Sequence, residues 1–325
     1  MARTHKPPFR HKSDADVTDA TVSAPSCAGP MATNEVDKPV PVYEVDTRAP
    51  ASGPAKEQLP APLPTPLTAW QLCGDTVIGL AHRRKAMPCQ DAVAYRNLPR
   101  PILVLSDGAG SAAISERGAQ ALVIGITRFL RTLEDDLALW LDGEDATQAQ
   151  STRWAERLRL HAQGLLTDLA RAEQRDVRDV RATLQVAVIG ERHVYWWKVG
   201  DGAIVAMNSE GLCSLGNHAN AKGEFANQTC FVDTASTSDV QSGVLSAREI
   251  FGVALMSDGG AERLVSNDGS KVASRLAEWL DDVAQQRFAI DRIALAFHEP
   301  AMWERTSLDD RSIVLAARPN KSYLR

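Results

Sequence analysis

The sequence predicts an α+β fold, a layered sandwich in which β-sheets are covered by helices. Three observations predict it: long segments with apolar residues at helical spacing, a run of short strand-like segments separated by Gly-containing turns, and further helical segments after them. Each helix and each sheet has to bury an apolar face, so such elements stack in layers around a shared core. The folded part is long enough to form one large domain.

The N-terminal part of the chain is predicted not to fold. Twelve of the 17 prolines precede Thr68, and Phe9 and Tyr43 are the only aromatic residues there. Too little apolar surface is available in this stretch to offset the entropy lost on ordering the backbone. We therefore expect a disordered, Pro-rich tail over residues 1–67 and a folded domain over residues 68–320.

Strand-like composition marks residues 70–81, 91–95 and 101–105. The last of these, PILVL, runs into the Gly-rich turn SDGAGS, which is typical of a strand followed by a tight turn. Amphipathic helices are predicted next, from Ser115 to about Leu141 and from about Thr152 to Ala172, because apolar residues recur there every three or four positions.

The second half begins with β-rich segments. From Arg181 to Leu215 short apolar runs alternate with Gly-containing turns, which we interpret as an antiparallel meander. Strands are expected to resume near Cys230 and at residues 251–256, and the latter ends in another SDGG turn. The predicted C-terminal elements are helices at about 272–285 and 289–297 and a closing strand at 311–317.

Composition excludes several classes of function. The formal net charge is −5, so no basic field is available to hold nucleic acid. The N-terminus lacks the apolar core of a secretory signal, and no apolar run has transmembrane length. The five cysteines are scattered and show no C-x-x-C spacing. We expect a cytoplasmic monomer that binds neither nucleic acid nor membranes.

Acidic residues recur where predicted strands begin or end. They are Asp91 in CQDAV, Asp107 in LVLSDGAG, Asp258 in VALMSDGG, and the pair Asp309 and Asp310 in LDDRSIV. Buried carboxylates are unfavourable unless they are paired or bound to a cation, and carboxylates gathered at one sheet edge repel one another. A divalent cation is the simplest explanation for such a gathering.

The type of ligand limits the choice of metal. Oxygen ligands without a cluster of His or Cys favour Mg²⁺ or Mn²⁺ over Zn²⁺. Gly108 would let its backbone carbonyl approach as a further ligand. Two such ions can activate water and hold phosphoryl oxygens, so hydrolysis of a phosphate ester is the predicted reaction. A single Asp-Gly after a strand is usually only a turn, so the prediction depends on the order and spacing of all the acidic positions.

Five motifs occur in a fixed order along the chain: QDA, SDGAGS, ATLQVAVIG followed by VGDG, MSDGG, and DDRSIV. Together they resemble the metal-dependent protein phosphatase family, also called type 2C, over residues 79–317. The segments CQDA, SDGAGS and KGEFANQT resemble the corresponding sequences of its bacterial branch. The resemblance implies a protein serine/threonine phosphatase with a four-layer α-β-β-α sandwich, in which two antiparallel sheets are flanked by helix pairs. It also implies a phosphorylated protein substrate and an opposing Ser/Thr kinase.

The resemblance further implies roles for individual residues. Two core ions, Mn²⁺ or Mg²⁺, would be bound by Asp91, Asp107, the carbonyl of Gly108, Asp258 and Asp309. The four aspartates of this set are the predicted catalytic residues, and Asp310 stands where the family usually has Asn. Asp201 in VGDG corresponds to a ligand of a third, looser ion, and Glu262 stands in the place of another.

Substrate contacts are also implied by position. The family's phosphate-binding arginine corresponds to Ala86, so Lys85, Arg84 or Arg83 would have to replace it. His82 resembles a recurrent histidine of the bacterial branch, and we include it among the phosphate-binding candidates.

A polar loop at residues 217–229 lies where the family has a flap near the active site. From it, Glu224, Phe225 and Asn227 are predicted to contact the substrate.

Two departures leave other functions open. Ala86 replaces the phosphate-binding arginine, and Ala109 stands where many relatives have a histidine. A catalytically weakened member that binds phosphoproteins or acts as a regulatory module is one alternative. A phosphatase for a small phosphorylated metabolite is another.

Overall fold

A computed structural model describes residues 70–216, 229–289, 291–300 and 306–319. These residues form two five-stranded antiparallel sheets that pack face to face, with helices on both outer sides. The predicted α+β fold with four layers is confirmed. The tail predicted over residues 1–67 lies outside the described residues and stays a prediction.

The first sheet contains, in spatial order, β1 (Gln71–Val77), β10 (Arg311–Ala317), β9 (Gly252–Met256), β6 (Ala203–Asn208) and β7 (Gly211–Leu215). The second sheet contains β2 (Asp91–Arg96), β3 (Ile102–Asp107), β4 (Leu184–Ile189), β5 (His193–Val199) and β8 (Gln241–Ser246). Every neighbouring pair of strands is antiparallel.

The helices fall into two groups. Those packed on the second sheet are α2 (Ser115–Thr132), α3 (Glu134–Leu141) and α4 (Gln148–Ala172). Those packed on the first sheet are α6 (Ser274–Ala284) and α7 (Arg292–His298). Two short helices, α1 (Leu80–Arg84) and α5 (Asp258–Ala261), connect strands. None of the helices in the described part of the chain is both long enough and apolar enough to span a bilayer.

Strand β3 shows how one sheet serves two cores. Ile102 and Val104 pack against the helices, whereas Leu103 and Leu105 pack against the other sheet. Successive side chains of a strand point to opposite faces, so a strand in the middle of four layers has both of its faces buried. The core between the two sheets is formed by residues of both sheets and holds them together.

The neighbouring tryptophans of β5 follow the same alternation. Trp196 packs between the sheets and Trp197 packs against the helices. The indole N–H of Trp197 donates a hydrogen bond to the carbonyl of Ala155 at 3.1 Å. This bond satisfies the polar group of a fully buried ring.

The helices differ from the prediction at two boundaries. The single helix expected from Ser115 to Leu141 is interrupted at Leu133, whose φ of −100° and ψ of 28° depart from helical values. Helix α4 begins earlier than expected because Thr147 and Gln150 form a capping box at its N-terminus.

The prediction that residues 181–215 form one antiparallel meander was wrong, because their strands do not lie in one sheet. Strands β4 and β5 belong to the second sheet, whereas β6 and β7 belong to the first. The chain crosses between the sheets at Val199–Gly202, where Gly200 has a φ of 117° that glycine adopts without steric strain. Alternating apolar residues look the same in either sheet, so the pattern could not reveal the crossing. The strand expected near Cys230 is instead a 3₁₀ turn at Val232–Thr234, and the next strand is β8.

Candidate metal centre

The predicted acidic residues lie where strand ends from both sheets meet. Asp91 is the first residue of β2 and Asp107 is the last residue of β3, and the two face each other directly in the strand register. Asp258 opens helix α5 just after β9, and Asp309 lies just before β10. Four strands, two from each sheet, thus deliver one aspartate each to the same edge.

The carboxyl groups of this cluster contact one another. The carboxyl of Asp107 lies within hydrogen-bonding contact of the carboxyls of Asp91 and Asp258. Asp201 and Asp309 add further negative charge close to Asp258. The structure therefore brings together all five aspartates that the sequence singles out as metal ligands.

Burial and mutual repulsion make this cluster hard to ionise. Burial raises the pKa of Asp107 well above its usual value, and the charges of Asp91 and Asp258 raise it further. Burial raises the pKa of Asp91 to about 7, although the Ser312 hydroxyl donates to its carboxylate at 2.6 Å and favours the charged form. Without a cation the cluster retains protons near neutral pH, which is the expected behaviour of converging buried acids.

Gly108 lies in a tightly packed turn directly after Asp107. Its N–H donates to the carbonyl of Gln90 at 3.1 Å. A β-carbon at this position would lie 2.8 Å from that of Ser115. Only glycine therefore fits between β2 and the start of α2, and the carbonyl of Gly108 stays a predicted ligand.

Asp310 is held by protein donors rather than left open for a metal. Its two carboxylate oxygens accept hydrogen bonds from the backbone N–H groups of Gly79 and Gln90, each at 2.6 Å. Nδ1 of His82 lies 2.9 Å from the same carboxylate. His82, Asp309 and Asp310 could together offer ligand atoms within 4.8 Å of one another. Because Asp310 already has three partners, the exposed Asp309 is the better ligand of the pair.

The predicted phosphate-binding residues occupy different environments. Arg84 and Lys85 are exposed at the end of α1, where a phosphate could reach them. His82 is buried beside Asp310, which favours a role in orienting that carboxylate over direct contact with phosphate. Burial lowers the pKa of Arg311, and the charge of the exposed Arg83 lowers it further. The two arginines therefore lie close enough to repel each other. Among the basic residues at α1, Arg83 is therefore placed near Arg311, which itself interacts with the charges of Asp309 and Asp310.

Asp201 and Glu262 line a pocket of about 370 Å³ next to Asp258. The carboxylate of Asp201 accepts a hydrogen bond from the Thr229 hydroxyl at 2.5 Å. Both carboxylate oxygens of Glu262 lie 2.8 Å from the backbone N–H of Ser307. A third ion would have to compete with these hydrogen bonds, so the third metal stays a prediction.

The predicted flap residues Glu224, Phe225 and Asn227 lie outside the described residues.

Ser312, which orients Asp91, was not predicted. Its position as the second residue of the closing strand, directly before the apolar run that begins at Ile313, is the signal that could have drawn attention to it.

The donors present fit hard divalent ions. Asp91, Asp107, Asp258 and Asp309 offer only carboxylate oxygens, the ligands that Mg²⁺ and Mn²⁺ prefer. The raised pKa values of Asp91, Asp107 and Asp258 are a second sign, because a divalent cation is what would allow these carboxyl groups to be charged together.

Comparisons with known proteins identify the family and the fold of the chain. A model of the family described as Protein phosphatase 2C matches residues 78–294. No curated protein sequence matched the chain.

Three solved structures resemble the fold. A substituted form of a bacterial serine phosphatase is 20% identical with a TM-score of 0.51, and the match covers 77% of this chain and 98% of that one. The catalytic domain of the serine/threonine phosphatase PstP, in complex with two manganese ions, is 15% identical with a TM-score of 0.50, and covers 77% and 99%. PppA, a regulatory component of T6SS in Pseudomonas aeruginosa, is 13% identical with a TM-score of 0.50, and covers 77% and 98%.

Identities this low show a shared fold, while the family match extends over most of the described residues. It includes β2, β3 and β9 with Asp91, Asp107 and Asp258. The family expected from the motifs is thereby confirmed, and the chain belongs to the protein phosphatase 2C family of serine/threonine phosphatases.

Proposed function

We propose that this protein hydrolyses phosphoserine and phosphothreonine in proteins, using two Mn²⁺ or Mg²⁺ ions bound by Asp91, Asp107, Asp258 and Asp309. The observation that carries the proposal is the contact of Asp107 with both Asp91 and Asp258, which join carboxyls from two sheets. Bound divalent ions would supply Lewis acidity for attack of water on a phosphate ester. The two ions in the PstP structure are in keeping with this set of ligands.

The residues around the cluster hold it in place. Ser312 fixes one oxygen of Asp91, and Asp310 ties the strand that carries Asp309 to the backbone on either side of α1. Such supporting contacts orient ligands so that little reorganisation is needed when a cation binds.

A cysteine nucleophile finds no support at this site. Cys89 lies close to Asp91, but burial raises the pKa of its thiol, and the charges of Asp91 and Asp310 raise it further. A protonated thiol is a poor nucleophile. We therefore assign the attack on phosphorus to water, so the proposed reaction forms no phosphorylated enzyme.

The test is an assay of the full-length protein against p-nitrophenyl phosphate and a phosphothreonine peptide. We expect hydrolysis in Mn²⁺, loss of activity on chelation, and recovery when Mn²⁺ is restored. Activity that survives chelation would contradict metal dependence. A protein that binds Mn²⁺ but hydrolyses neither compound would favour the regulatory module. A marked preference for a small phosphorylated metabolite would favour a metabolite phosphatase.

The basic residues near α1 give a separate prediction. We expect Arg83→Ala to lower kcat/KM for p-nitrophenyl phosphate about tenfold, mainly by raising KM, because a charge-assisted hydrogen bond to phosphate is lost. Arg84→Ala and Lys85→Ala test the remaining candidates in the same assay. Arg96→Ala, which removes an exposed arginine at the other end of β2, is the control. An equal effect of all four substitutions would indicate a general charge effect rather than a phosphate site.

The opposing kinase, the cytoplasmic location and the monomeric state stay predictions. A phosphoprotein that accumulates when the gene is deleted would identify the substrate and, through it, the kinase.

A further inference from the structure

A buried lysine lies beneath the acidic cluster and has no role in the scheme above. Lys198, near the end of β5, is 2% exposed. Lysine is seldom buried without a carboxylate partner. Directly opposite on β4 lies Gln185, which is fully buried as well. The neighbours Trp197 and Val199 face the helices, so by alternation both polar side chains point into the space between the two sheets.

These two side chains connect the sheets at the edge that carries the aspartates. Nζ of Lys198 donates to the carbonyl of Gly202 at 3.0 Å, and Nε2 of Gln185 donates to the carbonyl of Met256 at 2.7 Å. Both donors belong to the second sheet. Gly202 follows Asp201 and leads directly into β6, and Met256 ends β9 just before Asp258, so the acceptors lie at the ends of two neighbouring strands of the first sheet.

The absence of a side chain at position 202 makes this arrangement possible. A β-carbon on Gly202 would lie 1.9 Å from Nε2 of Gln185 and 2.5 Å from the carbonyl oxygen of Met256. The amide of Gln185 occupies that space instead, and the ammonium of Lys198 contacts the carbonyl of Gly202. The result is a polar layer, formed by Gln185 and Lys198, under the ends of the loops that present Asp201 and Asp258.

The charges around the aspartates indicate a role for Lys198. Asp310 stands beside the five aspartates of this edge, so the negative charge gathered there exceeds the four positive charges that two divalent ions would bring. Lys198 lies close enough to Asp201 for their charges to interact: burial lowers the pKa of Lys198, and the charge of Asp201 opposes that shift and favours the ammonium form. Arg311, another buried cation near the cluster, donates to the carbonyls of Phe297 and Ser307 and also interacts with the charges of Asp309 and Asp310.

We propose that Lys198 is an internal counter-ion of the metal centre. As a positioning residue, it stabilises the gathered aspartates before metal binds and holds the loop of Asp201 through Gly202. The inference rests on the proposed function, because it assumes that the cluster binds divalent ions.

The sign of the effect follows from Coulomb's law. An ammonium attracts the carboxylates of the metal-free protein and repels an incoming divalent cation. Removing its charge should therefore destabilise the metal-free fold and, at the same time, strengthen metal binding. Loss of a residue with a merely structural role would lower stability without strengthening metal binding.

The experiment compares Lys198→Met, which keeps the length of the side chain without its charge, with Gln185→Met, which removes the other cross-sheet bond and no charge. Mn²⁺ affinity of the full-length protein is measured by isothermal titration calorimetry, and the melting temperature is measured in chelator. For Lys198→Met we expect a lower melting temperature and an Mn²⁺ Kd reduced on the order of tenfold. For Gln185→Met we expect a lower melting temperature and an Mn²⁺ Kd within about twofold of wild type.

Lys198→Arg provides a second variant, since it keeps the charge in a larger side chain. Its Mn²⁺ Kd should stay within about twofold of wild type. Weaker Mn²⁺ binding by Lys198→Met, or equal shifts in Lys198→Met and Gln185→Met, would overturn the inference while leaving the proposed function intact. A wild-type protein that takes up no Mn²⁺ would instead overturn the proposed function and this inference with it.

Discussion

Replacing Asp107 with asparagine should abolish hydrolysis of phosphate esters and raise the melting temperature of the metal-free protein. Asp107 contacts both Asp91 and Asp258, so its carboxylate links the two halves of the proposed metal centre. Losing that ligand should cost about 4 kcal/mol of transition-state stabilisation, roughly a thousandfold in rate. In the absence of metal the same carboxylate is a source of repulsion, so its removal relieves the fold.

The two effects are measured on the same protein samples. Rates are measured with p-nitrophenyl phosphate in Mn²⁺, and melting is followed by calorimetry in chelator. A gain of about 1 kcal/mol would raise the melting temperature by roughly 2–4 °C for a domain of this size. Asp135→Asn, at an exposed position on α3, is the control and should change neither quantity. A metal-free Asp107→Asn protein less stable than wild type would show that the carboxylates do not repel one another.

The stability of the metal-free protein should fall as the pH rises from about 4 to about 7. Asp91 has a pKa of about 7 in the fold against 3.8 for an ordinary aspartate, so the folded state binds its proton more tightly than the unfolded state does. That contribution is fully present below the lower value and is lost as the pH passes the higher one. The loss should be on the order of a few kcal/mol.

Urea denaturation in chelator across this pH range measures the effect. Asp91→Asn removes the titrating group, so the difference in unfolding free energy between wild type and this variant isolates its contribution from that of other acids. We expect the difference to grow as the pH rises, to the disadvantage of wild type. With saturating Mn²⁺ the trend should reverse, because protons are displaced when metal binds. Parallel pH profiles for the two proteins in chelator would contradict the raised pKa of Asp91.

Elements with a strong local pattern could be predicted from the sequence. The closing strand at residues 311–317 agrees with β10, and the SDG turns mark the ends of β3 and β9. The aspartates stood out because they are poor strand residues beside apolar runs. The choice of Asp309 over Asp310 came from the family resemblance, and the hydrogen bonds of Asp310 now give it a physical reason.

Features that depend on the packing of distant segments could not be predicted. Nothing in the sequence between β5 and β6 reveals that the chain crosses from one sheet to the other. Strand β8, QSGVLS, has too little apolar alternation to be recognised without its neighbour. Lys198 reads as the last polar position of a strand until the structure shows that the face on which it lies is buried. Long-range packing, rather than local propensity, decides each of these cases.

The most direct test of the account is anomalous diffraction at the manganese edge from crystals grown with Mn²⁺. We expect two anomalous peaks enclosed by the carboxylates of Asp91, Asp107, Asp258 and Asp309. A crystal with no peak among these residues, or with its metal bound only beside His82 and Asp310, would contradict the claim that strand ends of the two sheets gather aspartates for divalent cations.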